Sequence, residues 1–444
     1  MELVEADSSY FFNGFLFNEY IEVSKLKKDI KEQIHLEFKE DIDLPSLYLE
    51  IVQNNSHLKK EVDKIFFENI MYSHLKNIYV NKIATHPSLG VELFKKKMKS
   101  LIENVNHREN IPTNFYSEMQ EDGFYLMDAL HITTLNTKFI AGFDIGENKG
   151  IVETLRLLFV EVVLKDGKPT YFTAGIDIDF KNSVSLVMIR NIQGISKSNR
   201  INDEKVNQDD NNDKSDIDNT VNKLYHRVLN LIYSQLDIKL EQIDYKDDRE
   251  KMYVFCKELD DALLNDTREE VTNRAQSEIF KSVKTLDKLL LPSDNRLNSV
   301  DKKDLGEKIQ SLLLAYYLKY NFTPEELVKK AKALRLIGYP TKIKFMASNS
   351  AKSSTQSASS KQPVSASEMF HSLYFNFRES LELEKWSISW FTDYKFTDQC
   401  DIDVIQTTIH STRNNFKIVF LPDRALTKEI IDYVIRNINS YRWY

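Results

Sequence analysis

Residues 155–164, LRLLFVEVVL, run into Lys165-Asp166-Gly167-Lys168 and then into residues 169–180, PTYFTAGIDIDF. Two runs rich in β-branched and aromatic residues, separated by Asp-Gly, are the strongest short-range signal for a hairpin. The two central turn positions need positive φ, which Asp and Gly tolerate. Lys181-Asn182-Ser183 turns the chain again into residues 184–192, VSLVMIRNI. This predicts a three-stranded antiparallel meander near 153–193, inside a β region spanning 137–193.

On the N-terminal side the period changes. From Leu58, the apolar residues Val62, Ile65, Phe66, Ile70, Leu75 and Ile78 recur at three- and four-residue steps between lysines and glutamates, the spacing of one helix face. Residues 1–136 therefore read as mostly helical, with a break at Ile111-Pro112-Thr113-Asn114. On the C-terminal side, residues 194–218 hold seven acids from Asp203 to Asp218 against two lysines, and read as a mobile acidic loop. Helical spacing returns over 219–345. Its best-marked helix has Thr323 and Glu326 as a capping box, Pro324 in the first turn, and Gly338 and Pro340 beyond its end. Residues 346–367, MASNSAKSSTQSASSKQPVSAS, read as a flexible basic linker. Residues 368–444 alternate like strands in KWSISWF, DVIQTTIHS and NFKIVFLP and close on KEIIDYVIRNI, which predicts a small C-terminal α/β domain. The fold class expected is α+β, predominantly helical.

Length and composition bound the function classes. A chain of 444 residues with 42% hydrophobic and 29% charged residues is a folded protein of two or three domains. The acidic start, MELVEADSSYFFNGF, lacks the positive region of a leader, and no stretch approaches the roughly 20 apolar residues of a bilayer span. Only Cys256 and Cys400 occur, which excludes a disulfide framework and a clustered-thiolate metal site. A cytoplasmic location with no membrane partner is expected. Glycine is scarce, 11 in 444, and Gly142, Gly146 and Gly150 fit neither a P-loop nor a dinucleotide fingerprint. The nine histidines show no HxH, HxxxH or HExxH spacing. Asp209, Asn211 and Asp213 imitate the start of a calcium loop but lack its later glycine and glutamate. No cofactor is evident.

Two features remain. The first is charge segregation in a chain of net charge −7: between Glu326 and Glu368 there is no acid, while Lys329, Lys330, Lys332, Arg335, Lys342, Lys344, Lys352 and Lys361 are all basic. Phosphate contacts need flexible cations near a helix that can approach a nucleic-acid backbone. Two helices joined at Asn321-Phe322-Thr323, followed by the strand-like Thr341–Phe345, could form a helix-turn-helix with a wing. Lys329, Lys330, Lys332, Arg335, Lys342 and Lys344 are the candidate DNA- or RNA-binding residues; the plain alternative is a solvated helix face and linker. The second feature is Asp177-Ile178-Asp179-Phe180-Lys181. Carboxylates at i and i+2 share a strand face and could hold Mg²⁺ or Mn²⁺, with Lys181 as electrophile. The pattern resembles the D/E-x-K element of metal-dependent nucleases. The alternative is that Phe172, Ala174, Ile176, Ile178 and Phe180 face the core and the aspartates face water.

Cys256 and Cys400 lack the context of an activated thiol, and Trp386 and Trp390 read as core. Lysine outnumbers arginine 45 to 15, the flavour of AT-rich bacterial genomes and their mobile elements. The leading expectation is a nucleic-acid-associated accessory protein, in mobile-element or phage-defence biology. A metal-dependent nuclease or phosphoryl-transfer enzyme using Asp177, Asp179 and Lys181 is the second. A non-enzymatic subunit binding a protein partner or a second copy of itself is the third.

Overall fold

The computed structural model describes residues 10–107, 109, 111–192, 216–346, 352–421 and 424–443. Most of the expected acidic loop, with its calcium-like residues, and positions 347–351 of the expected linker lie outside the described residues. The chain divides into two compact units, one of residues 1–242 with 424–428 and one of residues 243–423 with 429–444.

In the first unit, α1 (Val23–Ile34), α2 (Leu44–Asn54) and α3 (Lys59–Ser73) precede β1 (Asn77–Thr85) and α4 (Val91–Val105). Then follow β2 (Phe124–Tyr125), β3 (Lys138–Asn148), β4 (Ile151–Lys165), β5 (Lys168–Asp179), β6 (Val184–Ile189), α5 (Asp216–Val228) and β7 (Lys239–Leu240). The strands pair antiparallel in the order β2-β3-β4-β5-β6-β1, with β7 also paired to β1. The β4–β5 hairpin turns at Asp166 and Gly167, whose φ angles are both positive, 49° and 78°, as a tight primed turn requires.

Both faces of this sheet are covered. On one face α3 lies so close to β5 that a Cβ on Gly175 would come within 2.8 Å of Met71 Sδ and Leu75 Cδ1. On the other, Phe94 of α4 meets Phe180 edge-on at 5.6 Å and Tyr225 of α5 stacks on Tyr79 at 4.0 Å. This explains why β4 is apolar on both faces.

The second unit begins with α6 (Tyr245–Leu290), α7 (Ser299–Asn321) and α8 (Pro324–Ala333). It continues with β8 (Gly338–Met346), β9 (Lys352–Gln356), α9 (Glu368–Ser380), β10 (Lys385–Phe391), β11 (Val404–Ser411), β12 (Phe416–Phe420) and α10 (Lys428–Arg442). Its strands pair antiparallel in the order β12-β11-β10-β8-β9. Trp386, Ile388 and Trp390 alternate onto the apolar face, where Phe255 of α6 lies 5.3 Å from Trp386 and Tyr441 of α10 stacks on Phe255 at 4.3 Å. The capping box of α8 is formed, with Glu326 N donating to Thr323 Oγ1 at 3.2 Å and Thr323 N to Glu326 Oε2 at 2.7 Å.

The expected fold class needs correction. Helices take 49% of the described residues and strands 23%, so it is a mixed α+β protein and not a predominantly helical one. The helical reading of 1–136 missed β1, whose first five residues are all buried and therefore show no alternation. The meander gains β3 as a further strand. Of the expected linker, residues 352–356 are β9, and Val364 and Ser365 are buried. The strands of 368–444 share one sheet with β8 and β9. Among the described residues, no helix is long and apolar enough to cross a membrane.

Candidate anion-binding cleft

Alternation on β8 puts Lys342 and Lys344 on one face and the buried Ile343 on the other. Pairing register then builds two rows across the sheet. In one, Gln356 of β9, Lys342 of β8, Ser387 of β10 and Thr408 of β11 stand side by side. In the other, Ser354, Lys344, Lys385, His410 and Lys417 come from β9, β8, β10, β11 and β12 in turn. Four basic residues on adjacent strands are thus direct cross-strand neighbours. Of these, Lys417 is buried and Lys344 has Glu384 3.3 Å away.

The strand irregularity between Ser387 and Ile388 adds one residue to β8, and with it Thr341 reaches the same polar surface. Gln406 Nε2 donates to Thr341 Oγ1 at 2.6 Å, and Ser357 N donates to its carbonyl at 2.8 Å. Ser357–Ser360 folds over the row: Ser389 Oγ and Tyr339 Oη both donate to the Ser360 carbonyl, at 2.6 and 3.1 Å. The result is a cleft of about 270 Å³, walled by Thr341, Lys342, Gln356, Ser357, Ser359 and Ser360, with Lys385, Ser387, Gln406, Thr408 and Leu421 completing it. Hydroxyls, amides and two ammonium groups line it, and no acid does. Such a surface is rich in donors and suits an oxyanion. Lys344 lies beside it, 3.3 Å from Glu384. A larger cleft of about 750 Å³, containing Lys361 and Cys400, shares Ser359 as a wall.

The structure separates the six basic residues singled out in the sequence. Lys342 and Lys344 reach the cleft face. Lys329 is exposed and forms an i,i+4 pair with Glu325 at 3.0 Å. Lys330 donates to Asp266 at 2.6 Å and to Thr267 at 3.1 Å. Lys332 is buried, 3.0 Å from Asp393, with the Phe391 and Phe396 rings each 5.1 Å away. Arg335 is exposed just past α8, at φ 55°. The expected solvent-facing basic helix is therefore corrected at Lys332: Leu327, Val328 and Ala331 enter the core, and Lys332 goes in beside them.

The stretch Asp177–Lys181 is engaged otherwise: the strand ends at Asp179, and Lys181 lies in the turn after it. Asp177 is buried beneath α3, where Tyr72 Oη donates to Oδ2 at 2.6 Å and Lys428 Nζ at 3.2 Å. Register places Asp177 beside Arg156, which in turn binds Asp144 and, at 2.7 Å, Glu68. Asp179 spends both oxygens on Asn182, accepting from N at 2.9 Å and from Nδ2 at 2.6 Å. Lys181 is exposed, 3.8 Å from Glu153. Among the described residues no three His, Cys, Asp or Glu side chains converge as a metal site.

Cys256 is buried, and burial followed by Asp260 and Asp261 pushes its thiol well above the ordinary range; Cys400 is exposed. Comparison with known proteins finds no matching family model, no matching curated protein and no matching solved structure.

The sequence reading missed Lys385, His410 and Lys417. The alternation in KWSISWF and VIQTTIHS assigns Lys385 and His410 to polar strand faces. What it lacks is the register that stands them beside Lys344.

Proposed function

We propose that this chain is a nucleic-acid-associated binding protein that holds a phosphodiester backbone on the polar face of the second unit's sheet. The supporting observation is the pair of register rows, one carrying Lys342 among hydroxyls and amides, the other setting Lys344, Lys385, His410 and Lys417 on neighbouring strands. Phosphates recognised by lysines and hydroxyls give register on a strand without reading its bases. No aromatic side chain lines the cleft, so base stacking of the kind that reads single-stranded RNA is not part of the proposal. The role is binding, with no catalytic step assigned.

The test is a fluorescence-polarisation titration against labelled single- and double-stranded DNA and RNA at low salt. Reversing Lys342 and Lys385 together (K342E/K385E) is expected to weaken binding at least tenfold and by a similar factor for every sequence. Lys329→Glu, on an exposed helix face, is expected to leave affinity unchanged. Equal affinity in the wild type and the double variant, or a loss confined to Lys329→Glu, sinks the assignment.

A further inference from the structure

The first unit buries two carboxylates beside one ammonium. Asp63, one turn after Lys59 on α3, lies 2.6 Å from Lys59 Nζ, and Asp128, in the loop between β2 and β3, lies 3.0 Å from the same nitrogen. Tyr10 Oη donates to Asp128 Oδ2 at 2.6 Å. Two further bonds tie the same N-terminal segment to that loop: Asn13 N to the Asp128 carbonyl at 2.6 Å, and Asn13 Nδ2 to the Ala129 carbonyl at 3.0 Å. Asp63 is 5% exposed and Asp128 1%. Asp63 Oδ1, Asp128 Oδ1 and the Tyr48 hydroxyl of α2 are buried with no hydrogen-bond partner among the described residues.

The charges do not balance. Lys59 neutralises one carboxylate, a second negative charge remains where water is scarce, and Glu118 adds a further acid nearby. Two acceptor oxygens are orphaned, and Tyr48 can donate to only one of them. Protonating a buried carboxylate costs less than keeping it charged and unpaired. The proton also turns an orphan acceptor into a donor. We propose that Asp63, set between Lys59 and the buried Asp128, keeps a proton in the folded chain, and that this proton-binding site fastens the N-terminal segment carrying Tyr10 and Asn13 onto α3.

The electrostatics agree with the geometry. Burial, then the charge of Asp128, pushes Asp63 up to about 8 against the pull of Lys59. Burial opposes the charge on Lys59, but the two carboxylates outweigh it and hold the ammonium above its ordinary value. Burial first, then Asp128, raises Tyr10; burial first, then Asp63 and Asp128, raises Tyr48. Both tyrosines thus stay neutral, Tyr10 as the donor to Asp128. Glu118 is raised too, by burial first, with Lys59 opposing and Asp128 and Glu121 adding.

The sign follows from linkage. An unfolded aspartate loses its proton near pH ~4, whereas folded Asp63 keeps it to about 8. Between those values the folded state binds more protons than the unfolded one, so stability falls as pH rises and levels off above the upper value.

The experiment is urea unfolding of the full chain from pH 5 to 9, wild type beside Asp63→Asn and Asp128→Asn. Asparagine supplies the neutral form at every pH. The expected result is that the ratio of wild-type to variant unfolding constants rises with pH, by up to roughly tenfold per unit inside the window, and is flat above it. Taking that ratio cancels the histidines, which titrate in both proteins. A ratio independent of pH overturns the proposal. Infrared difference spectra of the wild type keep the proposal testable should neither variant fold. A protonated carboxyl band present at neutral pH and lost on alkaline titration supports it, and absence of that band at neutral pH overturns it. Hydrogen exchange reads the fastening. Protection over residues 10–20 is expected to fall above pH 8 in the wild type, after correction for intrinsic rates. Protection that does not change removes that part of the proposal.

Discussion

Lys332 carries a charge where water scarcely reaches: its side chain is 1% exposed and that of its partner Asp393 is 11%. The pair is tolerable because Asp393 is first held by the Asp398 and Thr397 backbone N–H groups, with Lys332 adding to them; together they keep its carboxyl well below the ordinary range. Two phenyl rings then enclose the ammonium. Removing one partner of a buried pair leaves the other uncompensated. Lys332→Ala is therefore expected to lower stability by about 3 kcal/mol in urea unfolding, while Lys329→Ala leaves the midpoint where it is. The run of eight cations from Lys329 to Lys361 was plain in the sequence. Their partners were not, because Asp266, Asp393 and Glu384 lie outside the run and reach it only through tertiary structure. Composition reports that a segment is basic; only folding says which of its charges are already spent.

The segments most legible as sequence were those whose signal is local. The Asp166-Gly167 turn and the Thr323 capping box are formed because turn and cap geometry depend on a few adjacent residues. β1 and β9 escaped for opposite reasons. The start of β1 is buried on both faces, so its pattern has no period, and β9, KSSTQ, offers little apolar pattern. β5 lies between these cases. Its apolar face was readable; the covering of Asp177 was not. That the cover is α3, with Tyr72 aimed at Asp177, depends on packing across 105 residues of sequence. The contact joins helix to sheet through a hydrogen bond to a buried carboxylate, and such bonds are worth roughly 1.5–3 kcal/mol. Tyr72→Phe keeps the ring and loses the donor, so chemical denaturation is expected to show a loss of about 2 kcal/mol. An unchanged midpoint would mean that Lys428 alone satisfies Asp177.

The whole molecule carries a net charge of −7, which sets it against polyanions at long range, while the proposed function requires the cleft to attract them locally. These two scales give separable signatures. A protein that binds nucleic acid through a broad positive field neutralises many phosphates and loses affinity steeply with salt. Here the lysines on the sheet face that are not buried are few: Lys342, Lys344 and Lys385. Engagement of about three phosphates on a single strand gives a slope of log affinity against log salt of roughly −2, at about −0.7 for each phosphate. Each accessible lysine removed from the rows is expected to flatten that slope by about 0.7. Bulk repulsion acts on the approach instead, so added salt is expected to raise the association rate even as it lowers affinity. Stopped-flow mixing with a labelled single-stranded probe separates the two. An association rate that falls with salt, together with a slope much steeper than about −2, would place the binding on a wider surface than these rows.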